Sequence, residues 1–369
     1  MLYYLAEYLK PFFGPARLLQ SHALLLAGGT FSAAMLVWYL LPRLWTKLPQ
    51  DRGKAMLADL GGMKSAGKPT GTGLLVTLIA LPVIVLFVPL AFWDAMCVVG
   101  FYAAMLSGYL DDRALIPWGE GKKLALDVVV SFAIAFFLFA GHAEHINGFA
   151  GLRMIAWLPF WKGLVYIPFW IYVPFAGMII LFTLNATNCS DGVDGLAGTL
   201  TVTTLVMLAV IFYVVVGYRP VAHYFLIPVY SEAARWAVLT MTVAGAFGGY
   251  LWFNAEPSKI LMGDAGSRFL GVLVATASLM TGNPLLIVAL SPIVLVNGGG
   301  GLVKLLLLRA AKKAGLQIDD ENVLKKIRFP LHDHCKKKLG WSNAQVLMRF
   351  MLLQLLVMPI LLVLLIKVR

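Results

Sequence analysis

The sequence predicts an all-α polytopic membrane protein of about ten transmembrane helices, and three observations carry that reading. Sixty per cent of the 369 residues are hydrophobic, and the mean hydropathy is +0.83, outside the range of ordinary soluble domains. Apolar runs of roughly 17–25 residues, long enough to cross a bilayer, recur along the whole chain. The polar residues between them are bunched, with basic side chains concentrated in alternate connections.

The runs fall near residues 22–41, 73–92, 93–110, 123–140, 164–184, 196–217, 236–253, 267–282, 284–306 and 344–366. The eighth is short enough to tilt or to lie partly in the interface. Pro82, Pro174, Pro292 and the glycines from Gly298 to Gly301 do not argue against helix, because membrane helices tolerate both residue types. No basic segment followed by an apolar stretch and a small-residue cleavage site opens the chain, so no removable signal peptide is expected. Cys97, Cys189 and Cys335 are too few and too scattered for a disulfide framework or a zinc site, and read as inert thiols. Residues 1–369 read as one integral membrane domain.

With ten spans the connections alternate between two faces. The odd-numbered connections (42–72, 111–122, 185–195, 254–266 and 307–343) hold most of the 30 Lys and Arg residues. The positive-inside rule places them in the cytoplasm and both termini outside. Every polar motif falls in these same connections, so the active site is expected at the cytoplasmic face. The net charge of +12 is largely this bias; it also suits anionic lipid headgroups and phosphorylated substrates, and nucleic acid explains it less well.

The first connection contains Gly67-Lys68-Pro69-Thr70-Gly71-Thr72-Gly73. Its glycines permit close backbone approach to a ligand and Lys68 offers a point charge for phosphate, although the spacing is not that of a P-loop and a basic surface connector would look similar. Asp111-Asp112 ends the third span. Adjacent carboxylates resist joint ionisation unless a cation neutralises them, and a solvated helix end paired with Arg113 is the plainer alternative. Magnesium favours one or two carboxylates together with phosphate oxygens and water, a set that Asp111, Asp112 and Asp264, with Asp191 or Asp194 nearby, would supply.

Asn185-Ala-Thr-Asn-Cys-Ser-Asp-Gly-Val-Asp-Gly195 is too polar and glycine-rich for a mere connector. Asp191 and Asp194 suit a metal, ribose hydroxyls or a base edge, and Asn188 suits a phosphate. Ionisable residues beside a bilayer are costly unless they have a partner or a task. In the fourth connection Asn254 and Pro257 lead into Leu261-Met-Gly-Asp264-Ala-Gly-Ser267, where Asp264 reads either as a metal ligand or as a helix N-cap. The fifth is the most basic and carries His332-Asp333-His334, which would alternate on a strand or loop and hydrogen-bond a diphosphate, or form a titrating surface cluster.

These five motifs, in this order, resemble the phospho-N-acetylmuramoyl-pentapeptide transferases of the polyprenyl-phosphate N-acetylhexosamine-1-phosphate transferase superfamily, over nearly the whole chain. The resemblance implies transfer of phospho-MurNAc-pentapeptide from UDP-MurNAc-pentapeptide to undecaprenyl phosphate, giving lipid I and UMP. It also implies Mg²⁺, a ten-helix fold, a homodimer, a bacterial plasma-membrane location and inhibition by nucleoside antibiotics. By resemblance Asp264 is the metal ligand, with Asp191 a further candidate, and Asp111 and Asp112 are the double aspartate proposed for metal, nucleophile or base roles. Lys68, Thr70, Asn188, Asp191, Gly192, Val193, Asp194 and Asn254 match positions lining the uridine and diphosphate site. Lys123 matches a further basic residue, and His332 and His334 the diphosphate-positioning histidines.

Three departures stand out. Leu115 replaces a lysine usual after the double aspartate, His332-Asp333-His334 replaces a triple histidine, and Leu261 replaces a phenylalanine that stacks on uracil. The acceptor phosphate monoester is largely dianionic at neutral pH, so direct attack on the β-phosphorus needs no strong base, with Asp111 or Asp112 organising the acceptor; a covalent aspartyl-phosphate route is the alternative. The nearest rival function is transfer of GlcNAc-1-phosphate from UDP-GlcNAc to the same kind of lipid. A secondary transporter is the remote one, since transporter sites lie near the bilayer midplane and these carboxylates, Asp127 apart, sit at span ends.

Overall fold

The computed structural model describes residues 1–51, 65–114, 118–161, 163–230, 232–314 and 326–367. Its helices are α1 (Leu2–Leu9), α2 (His22–Leu44), α3 (Thr72–Phe87), α4 (Phe92–Arg113) and α5 (Glu120–His142). A small sheet follows, formed by β1 (Glu144–His145), β2 (Leu152–Trp157) and β3 (Leu164–Pro168). Then come α6 (Phe169–Ser190), α7 (Leu196–Val210), α8 (Arg219–Tyr224), α9 (Ala233–Asn254), α10 (Gly263–Met280) and α11 (Leu286–Leu290). The chain closes with α12 (Pro292–Lys313), α13 (Leu331–Leu339) and α14 (Asn343–Lys367).

A helix occupies each of the ten predicted positions, and among the described residues eight are long and apolar enough to cross a membrane. The two that fall short are informative. α3 has 16 residues. α10 has 18 but carries Asp264 and Arg268 in its first turns, and every residue from Ala265 to Met280 is buried. It is the centre of the bundle, and not the interfacial segment its short apolar run suggested.

α3, α4, α5, α6 and α7 surround α10, and glycines set how near they come. A Cβ on Gly73 would lie 2.2 Å from the Gly266 Cα, and one on Gly108 would lie 2.4 Å from the Asp264 carbonyl oxygen. Within a membrane, helices gain little from mutual apolar burial, so close backbone contact through small residues supplies the packing. The outward surface is apolar instead: Val129, Trp170, Leu306, Leu356 and Ile360 are all more than 60% exposed, as lipid contact requires.

The expectation of an all-α chain is corrected by the antiparallel sheet β1-β2-β3. Leu152–Trp157 and Leu164–Pro168 are short runs rich in aliphatic and aromatic residues, preceded by turns at Gly148 and Gly151 with positive φ, too brief for a helix and suited to a pleated surface. The fifth helix therefore begins at Phe169, beyond the predicted residue 164. The sheet caps the far end of α10, where the Trp157 backbone N–H donates to the Gly282 carbonyl (2.9 Å) and its indole N–H to that of Thr281 (2.8 Å). The ninth predicted span also differs. It breaks at Ser291 ahead of Pro292, then continues as α12 to Lys313, whose last fourteen residues contain none that is buried.

Candidate active site

All five polar motifs meet at the end of the bundle opposite the sheet. Asp111 and Asp112 close α4, but successive helical positions point about 100° apart and the two carboxylates take different surroundings. Asp111, 8% exposed, forms an ion pair with Lys123 of α5 and accepts the Trp118 backbone N–H at 2.9 Å. Asp112 turns toward α10 and accepts the Ala265 N–H at 3.4 Å, with Asp264 and Asp111 as negative neighbours. Gly263 is held at φ +71°, and a Cβ there would lie 2.4 Å from Asp112 Oδ2 and 2.7 Å from the Gly71 nitrogen. Only glycine allows the first connection, α4 and α10 to meet so closely.

Asp264 sits in the first turn of α10, behind an N-cap at Met262 that makes no side-chain cap, so the capping alternative does not hold. Its carboxylate is 30% exposed and lies 4.0 Å from Arg268 Nη2. Arg268 Nη1 in turn lies 2.6 Å from Asp127 Oδ1. The four carboxylates Asp111, Asp112, Asp127 and Asp264 thus face two cations, Lys123 and Arg268. Carboxylates outnumber cations there, and a bound divalent cation would relieve their mutual repulsion. Among the described residues no three His, Cys, Asp or Glu side chains group as a metal cage, so Asp191 does not complete a cluster with Asp112 and Asp264. A two-carboxylate donor set still fits Mg²⁺, which keeps water and takes phosphate oxygens.

The second half of the site is built on the α6–α7 turn. Asn188 donates from Nδ2 to Ser267 Oγ at 3.1 Å, joining α6 to α10. Asp194 accepts the Ser258 N–H at 3.2 Å and lies 3.6 Å from Lys68, which donates to Ser258 Oγ at 2.8 Å. The first, third and fourth connections are therefore locked together by two charged residues and one serine. Val193 is buried and packs with Leu196, Leu200 and Cys335, so it anchors the turn from beneath. Asp191 ends α6 and shares the neighbourhood of Tyr250 with Asp194.

Asn254 was expected to touch substrate, yet its side chain is committed inside the protein. It is 3% exposed, accepts the Gly195 N–H at 2.8 Å and donates to the Ile260 carbonyl at 2.7 Å. It holds the left-handed Gly195 against the 254–260 loop. Leu261 is half-buried, with its N–H on the Pro69 carbonyl (2.8 Å) and its carbonyl receiving both the N–H and the hydroxyl of Thr72 (3.2 and 2.7 Å). Thr70 is tied by its N–H to the Pro49 carbonyl at 2.9 Å.

His332 and His334 lie on the helix α13, which corrects the expectation of a strand or loop: Pro330 starts the helix and Gly340, at positive φ, ends it. Two residues apart on a helix, they do not share a face. His332 is 2% exposed, and its backbone N–H (2.9 Å) and Nδ1 (3.1 Å) both reach Asn297 Oδ1. An oxygen that already accepts the backbone N–H assigns a proton to Nδ1, while Nε2 lies 3.7 Å from Asp333 Oδ1. That nitrogen faces Gly192, whose Cβ would lie 2.3 Å away. His334 instead accepts the Arg328 N–H at 3.2 Å and does not join His332. Leu115 lies outside the described residues.

Sequence reasoning did not find Ser258, Asn297 or the partner of Arg268. Asn297 had a visible signal: an amide inside an apolar run is costly unless hydrogen-bonded.

A family model described as glycosyl transferase family 4 matches residues 95–282, which run from the first turn of α4 past the end of α10 and hold all three aspartate clusters. A phospho-N-acetylmuramoyl-pentapeptide-transferase of Treponema pallidum (strain Nichols) is 39% identical over 348 residues, covering 94% of this chain and 91% of that protein. Proteins of the same name from Bartonella quintana (strain Toulouse) and Borreliella burgdorferi (strain ZS7) are 29% and 28% identical. Those alignments cover 84% and 92% of this chain and 83% and 94% of theirs.

Proposed function

Because the chain belongs to glycosyl transferase family 4 and, within it, to the phospho-N-acetylmuramoyl-pentapeptide transferases, we propose that it transfers phospho-MurNAc-pentapeptide from UDP-MurNAc-pentapeptide to undecaprenyl phosphate, giving lipid I and UMP for peptidoglycan synthesis. The observation that carries the reading is the meeting of the first, second and fourth connections at the Asp112–Asp264 pair, with the α6–α7 turn joined to it through Asn188 and Ser267 and to the fifth connection through Gly192 and His332. The basic bias of those connections supports a cytoplasmic orientation for that end in a bacterial plasma membrane. A site at helix ends is where a soluble nucleotide donor and a lipid-borne phosphate can meet.

In this reading a phosphate oxygen of the acceptor attacks the β-phosphorus of the donor. A new P–O bond forms, the bond from the β-phosphorus to the bridging oxygen breaks, and that oxygen leaves with UMP. The dianionic acceptor needs no deprotonation. Asp112, less neutralised than the Lys123-paired Asp111, organises the acceptor end. Lys68, beside Asp194, holds the diphosphate, and His332, buried against Gly192, sets the position of the α6–α7 turn next to it. Asn188, Asp194, Leu261 and the Gly192–Val193 backbone border the nucleoside. Mg²⁺ held by Asp112 and Asp264 would offset the charge of the two anionic reactants and of the departing UMP. Nucleoside antibiotics would compete for the uridine side of this site, and the protein would act as a homodimer.

The deciding experiment supplies purified protein, undecaprenyl phosphate and Mg²⁺ with UDP-MurNAc-pentapeptide or UDP-GlcNAc side by side and measures UMP release. Turnover of the muramoyl donor with little from UDP-GlcNAc is expected. The reverse would assign the chain to GlcNAc-1-phosphate transfer.

A further inference from the structure

Beneath the Asp112–Asp264 pair lies a second charge arrangement that the transfer reaction does not use directly. Arg268 and Asp127 are 4% and 2% exposed, and their closest atoms are 2.6 Å apart. The same guanidinium nitrogen is 3.3 Å from Ser107 Oγ, and Asn185 hydrogen-bonds the Asp127 carboxylate. Side chains from α4, α5 and α6 therefore fix an arginine of α10 in one place. Buried ion pairs are poor stabilisers, because desolvation rivals attraction and an apolar pair of similar volume often does as well. Inside a membrane bundle such charges usually mark a function.

The geometry supplies one. Arg268 lies one helical turn beyond Asp264, and its second terminal nitrogen is 4.0 Å from Asp264 Oδ2. Asp127 occupies one side of the guanidinium and Asp264 faces the other. We propose that Arg268 is a built-in counter-charge, held beside Asp264 by Asp127, that limits how tightly a divalent cation binds between Asp264 and Asp112. The proposal rests on the assignment of Asp112 and Asp264 as cation ligands. It makes Asp127 a tuning residue, since it draws off part of the arginine charge that would otherwise compete with the cation for Asp264. Even at water-like permittivity, two unit charges ~4 Å apart change an equilibrium about fivefold, and by more as the surroundings become less polar.

The test reads cation binding and not turnover. Mn²⁺ affinity is measured by electron paramagnetic resonance on the purified full-length protein, with and without UDP, for the wild type, Asp127→Asn and the double variant Asp127→Asn/Arg268→Met. Asp127→Asn leaves the whole guanidinium charge to Asp264 and should weaken Mn²⁺ about fivefold to tenfold. The neutral double variant removes the competitor and should bind Mn²⁺ more tightly than the wild type, by about threefold or more. A merely structural pair would move the melting temperature without this ordering. Affinities within twofold of one another in all three proteins would overturn the proposal, as would tightening in Asp127→Asn. Should that variant fail to fold, the double variant decides: tighter binding supports the proposal and unchanged or weaker binding overturns it. A wild type that binds no Mn²⁺ even with UDP would remove the cation assignment and this inference with it. A wild type that binds Mn²⁺ but does not turn over the muramoyl donor would count against the reaction alone.

Discussion

Gly192→Ala tests the seat of His332 without altering a charged group. An ideal Cβ on Gly192 would lie 2.3 Å from His332 Nε2 and 2.9 Å from Cε1, where ordinary contact begins near 3.4 Å. The ring must therefore retreat by about 1 Å to reach ordinary contact. It has nowhere free to go: His332 is 2% exposed, and both its backbone N–H and its Nδ1 are fixed on Asn297 Oδ1 at 2.9 and 3.1 Å. A shift of that size breaks the ring hydrogen bond and strands a buried donor, at a cost of about 1–3 kcal/mol. Backbone strain adds nothing, because Gly192 is not among the glycines at positive φ. Misplacing a positioning group by ~1 Å lowers the rate about 10²-fold.

The assay is UMP release from UDP-MurNAc-pentapeptide, alongside thermal unfolding of each variant. Gly192→Ala should remain folded, with a melting temperature lowered by a few degrees, and lose about 99% of its transfer rate. In a His332→Ala background the obstructing ring is gone, and the same substitution should then cost little, a coupling of about 2–3 kcal/mol between the two positions. Activity of Gly192→Ala within twofold of the wild type would refute the reasoning. So would an equal loss in both backgrounds, which would mean that Gly192 acts on the substrate and not through the histidine.

Asp264→Asn should fold normally, since Asp264 makes no helix cap, and lose nearly all transfer; activity retained at ordinary Mg²⁺ would remove Asp264 from the cation site. Asn254→Ala should lower stability by about 2–4 kcal/mol, because it strands the buried Gly195 N–H and Ile260 carbonyl, as read by chemical denaturation. An effect confined to donor KM with unchanged stability would instead restore Asn254 as a ligand contact. Leu261→Phe should tighten UDP or a nucleoside inhibitor by about 0.5–1.5 kcal/mol if the ring finds the uracil face, as measured by calorimetry; unchanged or weaker binding would place another residue against the base.

The motifs were legible because each combined polar residues that a membrane chain tolerates only for a reason, and the helix positions because apolar runs of bilayer length have few alternatives. What local sequence could not show was direction. Asp111 and Asp112 are neighbours in sequence, yet one is neutralised by Lys123 and the other faces Asp264, a separation that only the placement of α5 and α10 determines. Asn254 and Asp194 read alike as polar residues in a binding loop, but the asparagine is consumed by the fold. The 144–168 sheet escaped notice because its strands of two, six and five residues are too short to impose a period on a chain that is apolar nearly throughout. The Asp127–Arg268 pair spans 141 residues, and no local pattern announces it.

α10 shows why hydropathy misjudged the most important helix. A helix against lipid must be apolar on its whole outer surface, whereas one enclosed by other helices needs only partners for its polar groups. α10 meets the second condition: Ser267 receives the Asn188 amide, Arg268 has Asp127 and Ser107, and the Ala265 N–H reaches Asp112. Its apolar run is accordingly short, and its charged residues, Asp264 and Arg268, both lie in the turns that border the site. The low hydropathy thus marks a helix shielded from lipid, and the polar turns that lower it place one carboxylate and its counter-charge where α4, α5 and α6 converge.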